Sequence, residues 1–91
     1  MKSARIIVTG RVQGVGYRIW AERTALALDI RGWVRNRADG SVELFAIGED
    51  DAVTRLIKAC EQGPRHADVS GISISDAEDD GSAGFSAKPT V

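Results

Sequence analysis

Apolar and polar positions along this chain alternate between two rhythms. Residues 4–9, Ala-Arg-Ile-Ile-Val-Thr, form a short β-branched run bounded by Gly10, which predicts a strand. Residues 10–16 hold three glycines and predict a loop. From 17 to 29 the period lengthens, and Tyr17, Trp20, Ala21, Ala25 and Leu28 share one helical face. Gly32 marks the return, and Trp33-Val34-Arg35-Asn36 and Val42 to Ile47 predict two strands. Asp39-Gly40 between them is a hairpin signal, because both residues tolerate the positive φ of a tight turn. Val53, Leu56, Ile57 and Cys60 then recur at i, i+3, i+4 and i+7, a core-facing helical stripe. Glu49, Asp50 and Asp51 stand at its start, where negative charge suits the helix dipole, and Gly63-Pro64 ends it. Val69 to Ser75 alternates as a half-buried strand, and Asp79-Asp80-Gly81-Ser82 is a turn. Gly84 to Lys88 reads as a last short strand around Phe85 or as an irregular tail.

The order is β-α-β-β-α-β, with an optional further strand. Right-handed crossovers around a central hairpin give a ferredoxin-like α+β sandwich, an antiparallel sheet with both helices on one face. The first and second strands then run parallel, so their C-terminal ends share one edge of the sheet. A chain of 91 residues accommodates one domain, expected to span residues 1–91. This fold carries many unrelated functions, so the architecture alone selects none.

Composition narrows the classes. With 43% hydrophobic and 27% charged residues the chain is an ordinary globular protein. No apolar run reaches membrane-spanning length, and Ile6-Ile7-Val8 is too short for a signal peptide, which makes the cytoplasm the expected compartment. One cysteine and one histidine exclude an intrachain disulfide and a Cys/His zinc cluster, so no metal and no cofactor are expected. The net charge of −1 hides a division. Residues 1–37 hold eight basic and two acidic residues, and the remainder four and eleven, so +6 stands against −7. Such asymmetry fits an anionic ligand handled by the N-terminal half, or simple clustering on a mixed surface.

Two places offer chemistry. The Gly10–Gly16 loop leaves a strand and enters a helix, where backbone N–H groups lack intrahelical acceptors and bind anions. Glycines let such N–H groups converge, and Arg18 in the first helical turn can grip a phosphate bidentately. The spacing matches neither a Walker A loop nor a dinucleotide fingerprint. The alternative is a turn that needs glycines, with an exposed arginine beside it. Asn36 ends the second strand at the same sheet edge, and its amide suits holding a water molecule or serving the adjacent turn. His66 lies in a polar connection and reads as a surface residue; Cys60 lies on the apolar stripe and reads as a buried thiol. Trp20 and Trp33 read as packing residues or as a rim to the site, and Asp76 to Asp80 as a solvated turn lacking calcium-loop spacing.

Gly10-Arg11-Val12-Gln13-Gly14-Val15-Gly16-Tyr17-Arg18 resembles the acylphosphatase signature Gly-x-Val-Gln-Gly-Val-x-Phe-Arg. Gly32-Trp33-Val34-Arg35-Asn36, followed by Asp39-Gly40-Ser41-Val42-Glu43, resembles that family's second signature. The likeness runs from about residue 5 to residue 87 in the family's order. Tyr17 replaces the usual Phe, and the segment after Phe85 lacks a second branched apolar residue. The resemblance implies hydrolysis of acyl phosphates to a carboxylate and inorganic phosphate, with Arg18 and Asn36 as the catalytic pair. It places the phosphoryl group on the backbone of Gln13, Gly14, Val15, Gly16 and Tyr17 beside Arg18, and gives Asn36 the attacking water. A metal-independent monomer is expected, acting on a small molecule, with no nucleic acid or membrane as partner. Two rivals share the element order. An RNA-binding module requires aromatics on the central strands, but Val42-Glu43-Leu44-Phe45-Ala46-Ile47 carries one aromatic and an acid. A non-catalytic accessory domain is the other.

Overall fold

Alternation along the first strand decides which side of the sheet becomes the core. In the computed structural model, which describes residues 1–91, β1 (Lys2–Arg11) buries Ala4, Ile6 and Val8 on one face while Arg5 stays exposed on the other. The chain continues through α1 (Tyr17–Ala27), β2 (Arg31–Asn36), β3 (Val42–Gly48), α2 (Asp50–Gln62), β4 (Asp68–Asp76) and β5 (Phe85–Lys88). The sheet order is β4-β1-β3-β2-β5. Every pair is antiparallel except β2–β5, which is parallel. The expected antiparallel sheet is thus a mixed one, and the undecided segment after Gly84 is a strand. Its parallel direction follows from topology: β4 runs opposite to β2, and the chain reverses after β4 as it crosses to the far edge, so β5 runs with β2.

Both helices pack on the Ala4–Ile6–Val8 face. Tyr17, Ala21 and Ala25 of α1 and Val53, Leu56 and Cys60 of α2 meet Val34, Val42, Leu44 and Ala46 of the sheet in one core. Each fully buried Leu or Val side chain contributes about 1.5–3 kcal/mol. The helix α1 stops two residues before the expected end. The N–H of Ile30 bonds back to the Ala25 carbonyl at 2.9 Å and Asp29 takes a positive φ of 56°, which turns Ile30 into the core. The strand β1 runs past Gly10, because after a register shift Gly10 and Arg11 still pair with Val69 and Asp68 of β4.

The opposite face carries a smaller cluster of Trp33, Phe45 and Ile47, with Ala77 packed on it. The connection from β4 to β5 crosses this face as a strap. Asp79 accepts from Arg31 at 2.6 Å and Asp80 from the Trp33 indole N–H at 3.2 Å. The segment read as a solvated turn therefore covers the second cluster. Hydrogen bonds from Arg31 and the Gly81 N–H hold the Asp79 carboxyl below its usual range.

The exit from α2 sets the position of Tyr17. Gly63 closes the helix at φ +68°, and a Cβ there would lie 2.7 Å from the Tyr17 ring. Gly63→Ala combines left-handed strain with a clash, and is expected to cost about 1–3 kcal/mol in urea unfolding. A variant as stable as the parent would show that the ring moves aside freely.

Candidate active site

The loop between β1 and α1 is anchored at both ends and in its middle. Val12 is fully buried on one side of it and Tyr17 is buried on the other. The Tyr17 hydroxyl donates to the Cys60 carbonyl at 2.8 Å, and its ring meets Trp20 edge-on at 5.2 Å. Burial raises the Tyr17 hydroxyl far above its ordinary pKa, so it stays protonated and its donor role is structural. Between these anchors, the Gln13 side-chain amide donates to the carbonyls of Arg37 and Ser41 at 2.8 and 2.9 Å. One residue of the loop is thereby stitched to the β2–β3 hairpin.

With its ends fixed, the loop turns its amides outward. Gly14 and Gly16 have φ of 73° and 80°, values that alternate the peptide planes and let successive N–H groups face one point. The first helical bond runs from the Trp20 N–H to the Gly16 carbonyl at 3.0 Å. The backbone N–H groups of residues 13–19 donate to no acceptor in the protein. A run of unpaired donors at a helix start forms a concave cradle of the kind that can receive an anion.

Arg18 and Asn36 meet at this cradle. Together with Val12, Gly14, Gly16, Tyr17 and Ile19 they line a cavity of about 130 Å³. One guanidinium nitrogen of Arg18 donates to the Lys88 carbonyl of β5 at 3.2 Å, which aims the side chain and leaves the rest of its fork free. Asn36 is held through its backbone: it pairs with Val42 in β3, and its carbonyl accepts the Val91 N–H at 3.1 Å. Its side chain makes no hydrogen bond within the protein. The turn is instead built by Asp39, whose carboxylate accepts the Ser41 N–H at 2.9 Å and the Ser41 hydroxyl at 2.6 Å. Those bonds hold the Asp39 carboxyl below its usual range. The turn role open to Asn36 in the sequence thus belongs to Asp39, and the Asn36 amide faces the cavity without a partner.

Likeness to known proteins runs over nearly the whole chain. The acylphosphatase family model matches residues 4–87. An acylphosphatase from Salinibacter ruber is 54% identical over 79 residues, covering 85% of this chain and 81% of that one. One from Azoarcus sp. is 48% identical over 89 residues, covering 97% and 91%. The crystal structure of acylphosphatase from Bacillus subtilis superposes with a TM-score of 0.93 at 38% identity, covering 97% of this chain and 99% of that one. The chain belongs to the acylphosphatase family.

Within this acylphosphatase-family site, sequence reasoning missed the side chain of Gln13, the carbonyl of Lys88 and the carboxylate of Glu22. The last accepts the Ala87 N–H at 3.1 Å and fastens β5 to α1. A glutamine amid glycines carried a signal of sorts, since a long polar side chain in a tight loop needs a target. The two β5 contacts had none, because any residue supplies a backbone group. His66 is exposed in the connection after α2, outside the cavity. Cys60 is buried and its thiol is pushed up to about 12 by burial, which makes it inert as a nucleophile. Trp20 packs partly against the core, and Trp33 lies on the opposite face of the sheet.

Proposed function

We propose that this acylphosphatase-family enzyme hydrolyses the carboxyl-phosphate bond of small acyl phosphates, with the phosphoryl group held by the N–H groups of Gln13, Gly14, Val15, Gly16 and Tyr17 and by Arg18, and with the attacking water oriented by Asn36. The observation that carries the reading is the convergence of unpaired backbone donors, a free guanidinium fork and a free amide on one small cavity. Backbone donors and Arg18 surround the equatorial oxygens, where charge accumulates in a loose phosphoryl-transfer transition state. Asn36 uses its carbonyl oxygen to accept one hydrogen of a water and so points the water oxygen at phosphorus. The new P–O bond forms as the bond to the acyl oxygen breaks. The carboxylate leaves with that electron pair, and the water's proton passes to a phosphoryl oxygen. A carboxylate is a weak base, so departure requires no general acid, which accords with a cavity that contains no titratable acid–base pair.

RNA binding finds less support. Its stacking aromatics would be Trp33 and Phe45, which are only 6% and 4% exposed. They stack on each other 5.6 Å apart beneath the strap and the Arg35 guanidinium. The deciding experiment is hydrolysis of benzoyl phosphate with EDTA present. Steady turnover with chelator, unchanged by added magnesium or zinc, is expected, since no three His, Cys, Asp or Glu side chains gather in a metal-binding group. Activity lost on chelation and restored by one metal would overturn the metal-free mechanism; no turnover under either condition would favour an accessory domain.

A further inference from the structure

Four of the eight basic residues in the N-terminal half line two separate cavities. Arg18 stands at the loop, whereas Arg5, Arg35 and Arg37 line a second and larger cavity on the helix-free face of the sheet, with a volume of 540 Å³. That volume falls in the range of small-molecule sites. Glu43 lies in its floor, with a side chain only 5% exposed, and ties two of the arginines down by their inner edges. Arg5 Nε stands 3.1 Å and Arg35 Nε 2.8 Å from the two Glu43 carboxylate oxygens. Arg35 also rests on the Trp33 ring, its guanidinium carbon 4.6 Å from the ring centre. Arg35 is thus held by a hydrogen bond and by the Trp33 ring, and the half-exposed Arg5 by its ion pair alone, while the terminal nitrogens of both, like those of Arg37, donate to no protein acceptor. The remaining acidic side chain, Asp39, is occupied by Ser41. The three guanidinium groups face the engaged side-chain carboxylates of Glu43 and Asp39 and the α-carboxylate of Val91, where an oxygen accepts the Ala38 N–H at 2.7 Å, and Ile7 adds an apolar wall.

We infer that this cavity is a second anion site, distinct from the phosphate cradle, that takes a small polyanion bearing two or more carboxylate or phosphate groups. A lone monoanion satisfies one guanidinium; a molecule with several anionic groups can engage the forks of Arg5, Arg35 and Arg37 together, each by paired N–H donors. Glu43 supplies preorganisation, since a buried carboxylate that accepts from Arg35 Nε and pairs with Arg5 Nε leaves the terminal nitrogens of both unpaired. The site is separate from the loop because Asn36 faces the cradle while its neighbours Arg35 and Arg37 face the opposite side of the sheet.

The test is an amide-resolved NMR titration of the whole chain with citrate and, separately, with pyrophosphate. It is run on the parent and on an Arg5→Gln/Arg37→Gln variant. Neither replaced side chain hydrogen-bonds to the loop, so benzoyl phosphate turnover of the variant is expected to match the parent. Saturable shifts at Arg5, Arg35, Arg37 and Ala38 are expected with one or both polyanions. The dissociation constant read from these amides is expected to rise at least tenfold in the variant, while shifts at residues 13–19 stay as in the parent. Response to citrate alone assigns the site to carboxylates, and to pyrophosphate alone to phosphates. Shifts confined to residues 13–19, or shifts on the helix-free face that the double substitution leaves unaltered, would overturn the assignment whatever the turnover shows.

Discussion

Arg18→Ala is expected to lower benzoyl phosphate turnover by about 10²–10³, the loss typical of removing one preorganised donor from a developing negative charge. Inhibition by inorganic phosphate should weaken in parallel, because the same fork meets the product. Stability should change little: the guanidinium makes one 3.2 Å bond to the Lys88 carbonyl, and its terminal nitrogens are otherwise unpaired. Arg18→Lys is expected to recover only a small part of the rate. An ammonium can reach a phosphoryl oxygen or the Lys88 carbonyl, but it has no planar fork to span both. Parent-like turnover in either variant would remove Arg18 from phosphoryl binding and leave the backbone cradle as the whole anion site.

Asn36→Ala separates chemistry from binding. Turnover is expected to fall by about 10²-fold or more, because misplacing the nucleophile forfeits most of the gain from orientation. The phosphate dissociation constant should stay within about threefold, since Arg18 and the loop amides carry the anion. The melting temperature should also hold, because the Asn36 side chain has no hydrogen-bond partner in the fold and the turn rests on Asp39 and Ser41. A residue serving the turn would behave in the reverse way, with about 1 kcal/mol of stability lost and turnover intact. Thermal unfolding, phosphate titration and an assay on one sample decide between the two, and a folded variant with normal turnover would leave the water without a guide.

Much of this site was legible in one dimension because its parts lie close together in the chain. The cradle is a contiguous run from Gln13 to Arg18, and its glycines announce the positive φ values it uses. Asn36 was legible only as one of two roles. The fold bears on the choice through Asp39, whose carboxylate bonds Ser41 and builds the turn without the Asn36 side chain. The element order was equally readable, since the helical stripe of Val53, Leu56 and Cys60 and the alternation of Ala4, Ile6 and Val8 are local periodicities that burial then obeys.

Contacts between distant segments had no such signature. Gln13 reaches backbone carbonyls 24 and 28 residues away, and Arg18 is aimed by a carbonyl 70 residues away. Carbonyls are common to every residue, so nothing at Lys88 marked it as the support of Arg18. The direction of β5 and the strap over Trp33 followed from where the chain could return to the sheet, a choice among long-range pairings that no short window contains. The family signature, six of the seven elements and the glycine pattern of the loop are written in short stretches of residues, because each depends on neighbours along the chain. Which face of each strand meets which partner is settled by long-range pairing in the folded chain. That pairing brings Arg18 and Asn36 to one cavity and gathers Arg5, Arg35 and Arg37 at another, because pleated strands send adjacent residues to opposite sides of the sheet.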